Sequence, residues 1–148
     1  MNNLLLFIHL AGAIVWMGGM ALVLFGLRPA AMRVLQPPLR AQLLLQVLTG
    51  FFPLVWLSIV ALLGSGVWAL ARVGMAQAPP AWHAMLGIGL LMMAVFAHIY
   101  FAPYRRARRA AHGAQWGVVA AQLQQIHRLV QLNFGLGWLA IALVVLWR

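Results

Sequence analysis

His9, His83, His98 and His127 lie in or at the edge of long apolar segments, where an ionisable side chain is costly and by default signals a function. Their depths follow from a helical rise of about 1.5 Å per residue. His9 falls roughly 8 Å inside the first apolar segment and His83 about two residues inside the third, so both belong to the same level near the outer face. His98 follows His83 at about 22 Å along a helix and about 60° around it, while His127 marks the point where the fourth segment enters from the opposite face. This spacing predicts an outer pair, His9 with His83, and an inner pair, His98 with His127. Two chemistries suit such a layout: two haem irons, each held axially by two imidazoles, or a metal path with an entry and an exit. Thioether sulfur suits Cu(I), and the chain carries Met17 and Met20 in the first segment and Met85, Met92 and Met93 in the third. His9, Trp16 and Met20 form an i, i+7, i+11 stripe on one helical face. Each feature also has a plain structural reading. His9, His83 and His98 could make interhelical hydrogen bonds, His127 beside Arg128 could snorkel, His112 reads as a solvated loop residue, and the methionines could simply pack.

Composition removes the competing chemistries. Of the 148 residues 66% are hydrophobic and 7% charged, far from the roughly 25% charged residues of a soluble domain, so lipid is the main solvent. The chain has ten arginines and no lysine, aspartate or glutamate. Carboxylate dyads, carboxylate-held magnesium or calcium and Ser-His-Asp triads are therefore excluded. Cysteine is absent, which excludes thiolate metal sites and thiol nucleophiles. No reaction is assigned from these residues. A net charge of +10 could suit nucleic acid, but the arginines flank apolar runs and are not interleaved with stacking aromatics on a soluble face. Anionic lipid headgroups on the cytoplasmic side are the expected partner, and nucleic acid is not.

Four stretches are long and apolar enough to span a bilayer, which takes roughly 20 residues: 4–27, 51–71, 81–101 and 129–147. The fourth gains an amphipathic lead-in from residue 115, with Trp116, Val119, Leu123 and Ile126 at helical spacing, so its helix is expected over 115–147 and to project into the cytoplasm. The first stretch lacks a basic start and exceeds a signal-peptide core, so it reads as a retained helix. The expected fold is one all-α transmembrane domain over 1–148, a bundle of four membrane helices in lipid. Residues 28–50 read as a loop around Pro37 and Pro38. Arginines gather on one side, from Arg28, Arg33 and Arg40 to Arg105, Arg106, Arg108, Arg109 and Arg128, against Arg72 and Arg148 on the other. The positive-inside rule then puts both termini on the periplasmic side of a bacterial inner membrane. Trp56, Trp68, Trp82, Tyr100, Tyr104 and Trp147 read as interfacial belts. Gly12, Gly19 and Gly26 recur every seven residues, forming a groove that suits close helix packing, a homo-oligomer contact or a flat cofactor.

The run from His9 through Ala11-Gly12 and Trp16-Met17-Gly18-Gly19, then Leu27-Arg28-Pro29-Ala30-Ala31, Trp82-His83, Phe96-Ala97-His98 and Phe101-Ala102-Pro103-Tyr104-Arg105-Arg106 together resemble the short CopD-like membrane proteins, related to copper resistance protein D. The resemblance spans nearly the whole chain. It implies a four-helix inner-membrane fold with a copper link carried on His9, Trp16, Arg28, His83 and His98; His127 lies outside that pattern. A more distant likeness is to the HemJ-type membrane protoporphyrinogen oxidase, which has lysine where this chain has His83. The expected function is copper binding or transport through His9, His83, His98 and Met20. The alternatives are a haem b oxidoreductase with ligands from His9, His83, His98 and His127, or a scaffold subunit.

Overall fold

The computed structural model describes residues 2–147; Arg148, counted above on the arginine-poor side, lies outside them. Among the described residues four helices are long and apolar enough to cross a membrane: α1 Asn3–Val34, α2 Pro37–Val73, α3 Pro80–His112 and α4 Trp116–Leu146. All regular structure among these residues is helical.

The helices outrun the apolar segments, and two prolines explain how. Pro29 has no N–H for the carbonyl four residues back, which would ordinarily end a helix. The preceding turn instead widens into a π-helix over Leu22–Leu27, where the Arg28 N–H reaches the Val23 carbonyl, and the chain continues helically to Val34. Pro103 is absorbed the same way within the π-helical turn Tyr100–Tyr104, so α3 runs on through the arginine-rich Arg105–His112. The expected 28–50 loop is thus a tight break at Leu35 and Gln36, with Pro37 opening α2 where a missing donor is harmless. Gly74 ends α2 at φ +89°, a conformation that glycine adopts without strain.

In space α1 packs mainly on α2, and α3 on α4; α4 also touches α1 and α2. The glycine groove on α1 is filled by α2. A Cβ on Gly12 would sit 3.2 Å from the Ser58 carbonyl oxygen, and one on Gly19 would overlap the Phe51 ring. Close packing is therefore the use made of these two glycines.

The half of the bundle next to the Arg105–His112 end of α3 is sealed by aromatic rings. Phe52 packs edge-on against Phe96 and Tyr104 at centroid separations of 5.2 and 4.7 Å, and Trp56 against Phe96 at 5.1 Å. Tyr104 is buried and donates its hydroxyl to Thr49 Oγ1 at 3.0 Å. Trp56, Tyr100 and Tyr104, expected as interfacial belts, thus belong to this internal cluster: α3 extends past its apolar run, which carries its rings onto α2. Trp147 is exposed, and Trp68 carries the Arg72 guanidinium 4.5 Å above its ring, as interfacial residues do.

Candidate functional site

Above the aromatic seal the α1–α2 pair and the α3–α4 pair separate around a cavity of about 480 Å³. All four helices line it, almost wholly with apolar side chains. His9 is its one ionisable side chain; Trp16, Met17, Trp82, Met85, Met92 and Met93 contribute rings and thioethers. Phe52, Phe96 and Tyr104 do not line the cavity, and Trp16 meets Phe96 edge-on at 6.2 Å where the seal begins. The cavity is thus a half-channel with Trp16 near its floor.

The His9 ring is held in a defined state. Its Nδ1 lies 2.8 Å from Ser65 Oγ. The Ser65 hydroxyl gives its single proton to the Ala61 carbonyl one turn back, so Ser65 Oγ accepts from His9 Nδ1–H. Nε2 is then the unprotonated nitrogen of the ring, the one that Ser65 does not hold. A ring whose Nδ1–H is fixed by a neighbour while Nε2 keeps its lone pair is in the state in which histidine ligates metals. Gly66, one residue past Ser65, faces the ring: a Cβ there would meet His9 Cε1 at an ordinary contact distance of 3.7 Å.

Further in, Met17 and Met92 converge on Gly137 of α4. A Cβ on Gly137 would overlap the Met17 thioether and sit 3.2 Å from Met92 Cε. Asn133, one turn before Gly137, is fully buried and donates from Nδ2 to the Met92 carbonyl at 3.0 Å, which ties this stretch of α3 to α4.

The other expected residues take separate places. His83 is exposed and turns to the α2–α3 connection, its Nε2 3.0 Å from the Met75 carbonyl oxygen. His98 and Arg106 are exposed, and Arg105 lies over the Phe101 ring. Met20, only 2% exposed, shares the core with Trp16 but does not line the cavity. Arg28 and His127 line a smaller cavity at the other end of the bundle. Of the proposed ligands, then, His9 is the one that lines the large cavity, together with Trp16 and with methionines of α1 and α3. A bis-imidazole haem requires a second ring on the same space, and His83, His98 and His127 do not line it. A soft ion asks less, since imidazole and thioether are both good Cu(I) donors and both are present. Among the described residues no three His, Cys, Asp or Glu side chains gather, so any metal here would lean on sulfur.

Two residues escape a reading of the sequence alone, Ser65 and Asn133. Ser65 had a faint signal, since Ser58 and Ser65 are the hydroxyls of the second apolar segment, seven residues apart on one face. Asn133 had only its polarity within the fourth.

No curated protein and no solved structure matches the chain. The profile of the CopD family, copper resistance protein D, matches residues 45–147, more than half of the sequence. The match takes in His83, His98 and the Met92 region and begins after His9, Trp16 and Arg28. With a matched segment that runs from within α2 to the end of α4, the chain belongs to the CopD family.

Proposed function

We propose that this multi-pass membrane protein, linked by family to copper resistance, takes Cu(I) as cargo into the half-channel, with His9 Nε2 as nitrogen ligand and the Met17 and Met92 thioethers as sulfur ligands further in. The observation that carries the reading is the hydrogen bond from His9 Nδ1 to Ser65, which leaves a lone pair on the ring that lines a methionine-bearing cavity. Thioethers favour the soft, reduced ion, and the absence of any carboxylate disfavours hard cations. His83, at the same end of the bundle, is the natural first contact, and His98 the candidate for a later station at the inner level. The arginine excess orients the cavity mouth toward the periplasm of a bacterial inner membrane, with both termini on that side.

A Cu(I) competition titration on detergent-purified protein tests this. Wild type is expected to withdraw one equivalent of Cu(I) from a colourimetric chelator. His9→Ala should weaken that affinity at least tenfold while the protein remains folded. Wild type that withdraws no copper, or a His9→Ala variant that matches it, ends the proposal. The absorption spectrum of the same samples, grown in haem-replete cells, is expected to lack a Soret band.

A further inference from the structure

At the end of the bundle away from His9, α1, α2 and α4 bring together basic side chains that the copper reading does not use. Arg28 and His127 line one small cavity of about 20 Å³, floored by Leu24, Leu44, Leu48 and Leu123. The Arg28 guanidinium donates to Gln124 Oε1, one turn before His127. Arg28 lies within electrostatic reach of both Arg40 and His127. Arg40 spends one guanidinium nitrogen on the carbonyls of Met32 and Leu35, at 3.2 and 3.1 Å, which fixes it across the α1–α2 break. Two nitrogens of this cluster stay buried without a partner among the described residues, Arg40 Nε and His127 Nδ1.

Such a cluster ordinarily recruits a carboxylate, because a partly buried charge without a counter-charge is strongly unfavourable. This chain contains no aspartate or glutamate, so no side chain can serve. We propose that Arg28, Arg40 and His127 form a binding site for a phosphate group, brought either by the headgroup of an anionic phospholipid or by a soluble phosphate. Guanidinium forks match phosphate oxygens in pairs, which suits the Arg28 side chain at the rim of the small cavity. The cavity below admits no more than one oxygen-sized group, so the phosphate rests at its mouth on the half-buried Arg28 and His127. This differs from diffuse attraction of arginines to a negative surface, which Arg105, Arg106, Arg108 and Arg109 would serve equally well because all four are exposed.

The distinction sets the test. Detergent-purified protein is examined by native mass spectrometry with added phosphatidic acid or phosphatidylcholine, and by thermal shift with inorganic phosphate. The wild type is expected to retain phosphatidic acid in preference to phosphatidylcholine, or to be stabilised by inorganic phosphate; the first result names a lipid headgroup as the source and the second a soluble one. Arg28→Gln should cut retention or stabilisation at least fivefold, and Arg109→Gln, which removes the same charge from outside the cluster, less than twofold. If Arg28→Gln does not fold, His127→Gln replaces it with the same expectation. Equal retention of the two lipids without a phosphate effect, no response from the wild type, or equal losses in the cluster and control variants would each overturn the site. The copper titration is unaffected by any of these outcomes, so the two proposals fail separately.

Discussion

If His9 binds copper as proposed, Ser65 acts on the ion without touching it. By holding His9 Nδ1–H it chooses the tautomer and fixes the ring against α2. Outer-shell partners of metal-bound histidines are commonly worth about 10–100-fold in metal affinity. Ser65→Ala is therefore expected to weaken Cu(I) binding by about tenfold. Its unfolding midpoint should fall only modestly, because the Ala61 carbonyl keeps its helical N–H and the one lost bond is that of the His9 ring. The chelator competition described above reads the first effect and a thermal melt in detergent the second. His9, Trp16 and the third-segment methionines were legible in the sequence because imidazoles, large rings and thioethers stand out in an apolar run. Ser65 was not, since a lone hydroxyl in a membrane helix most often satisfies itself on the carbonyl four residues back. Ser65 does this too, and its second role depends on which helix faces it.

At the level of elements, the count of four helices follows from apolar runs of bilayer length, and the sequence is enough for it. The helix ends were not legible in this way. Arg28-Pro29 and Pro37-Pro38 carry the chemistry of a loop, yet the π-helical turn Leu22–Leu27 absorbs Pro29 and carries Arg28 into the helix. The same device at Tyr100–Tyr104 delivers Tyr104 into the core. A π turn replaces hydrogen bonds between main-chain groups and leaves no mark in side-chain periodicity, so pattern reading stops short of it. The α1–α2 pairing offers a direct check. A methyl group on Gly19 would overlap the Phe51 ring, whereas one on Gly18 would meet open space. Gly19→Ala is expected to destabilise the protein by about 1–3 kcal/mol, the usual cost of overpacking, and Gly18→Ala to leave stability unchanged or slightly raised. Unfolding midpoints of the two variants, measured in the same detergent, decide between this packing and a groove kept open for a cofactor.

For the whole molecule, the division into an open half and a sealed half carries the functional argument. The cavity ends at Trp16, and the rings of Phe52, Phe96 and Tyr104 fill the bundle beyond it. Under the copper proposal, a cargo ion bound at His9 would stay on one side unless that cluster rearranged, and the resting protein would be a one-sided binder. The side it serves depends on topology. Alkaline phosphatase fused after residue 147 is expected to be active in bacterial cells, and green fluorescent protein at the same position dark; the reverse pattern would turn the cavity mouth to the cytoplasm. The claim on which everything else depends is that imidazole nitrogen and methionine sulfur hold one copper ion in this cavity. X-ray absorption spectroscopy of the Cu(I)-loaded protein measures it directly. The account predicts a first shell of mixed nitrogen and sulfur scatterers, with the nitrogen contribution lost in His9→Ala. A shell of nitrogen and oxygen alone, or a spectrum unchanged by His9→Ala, would contradict it.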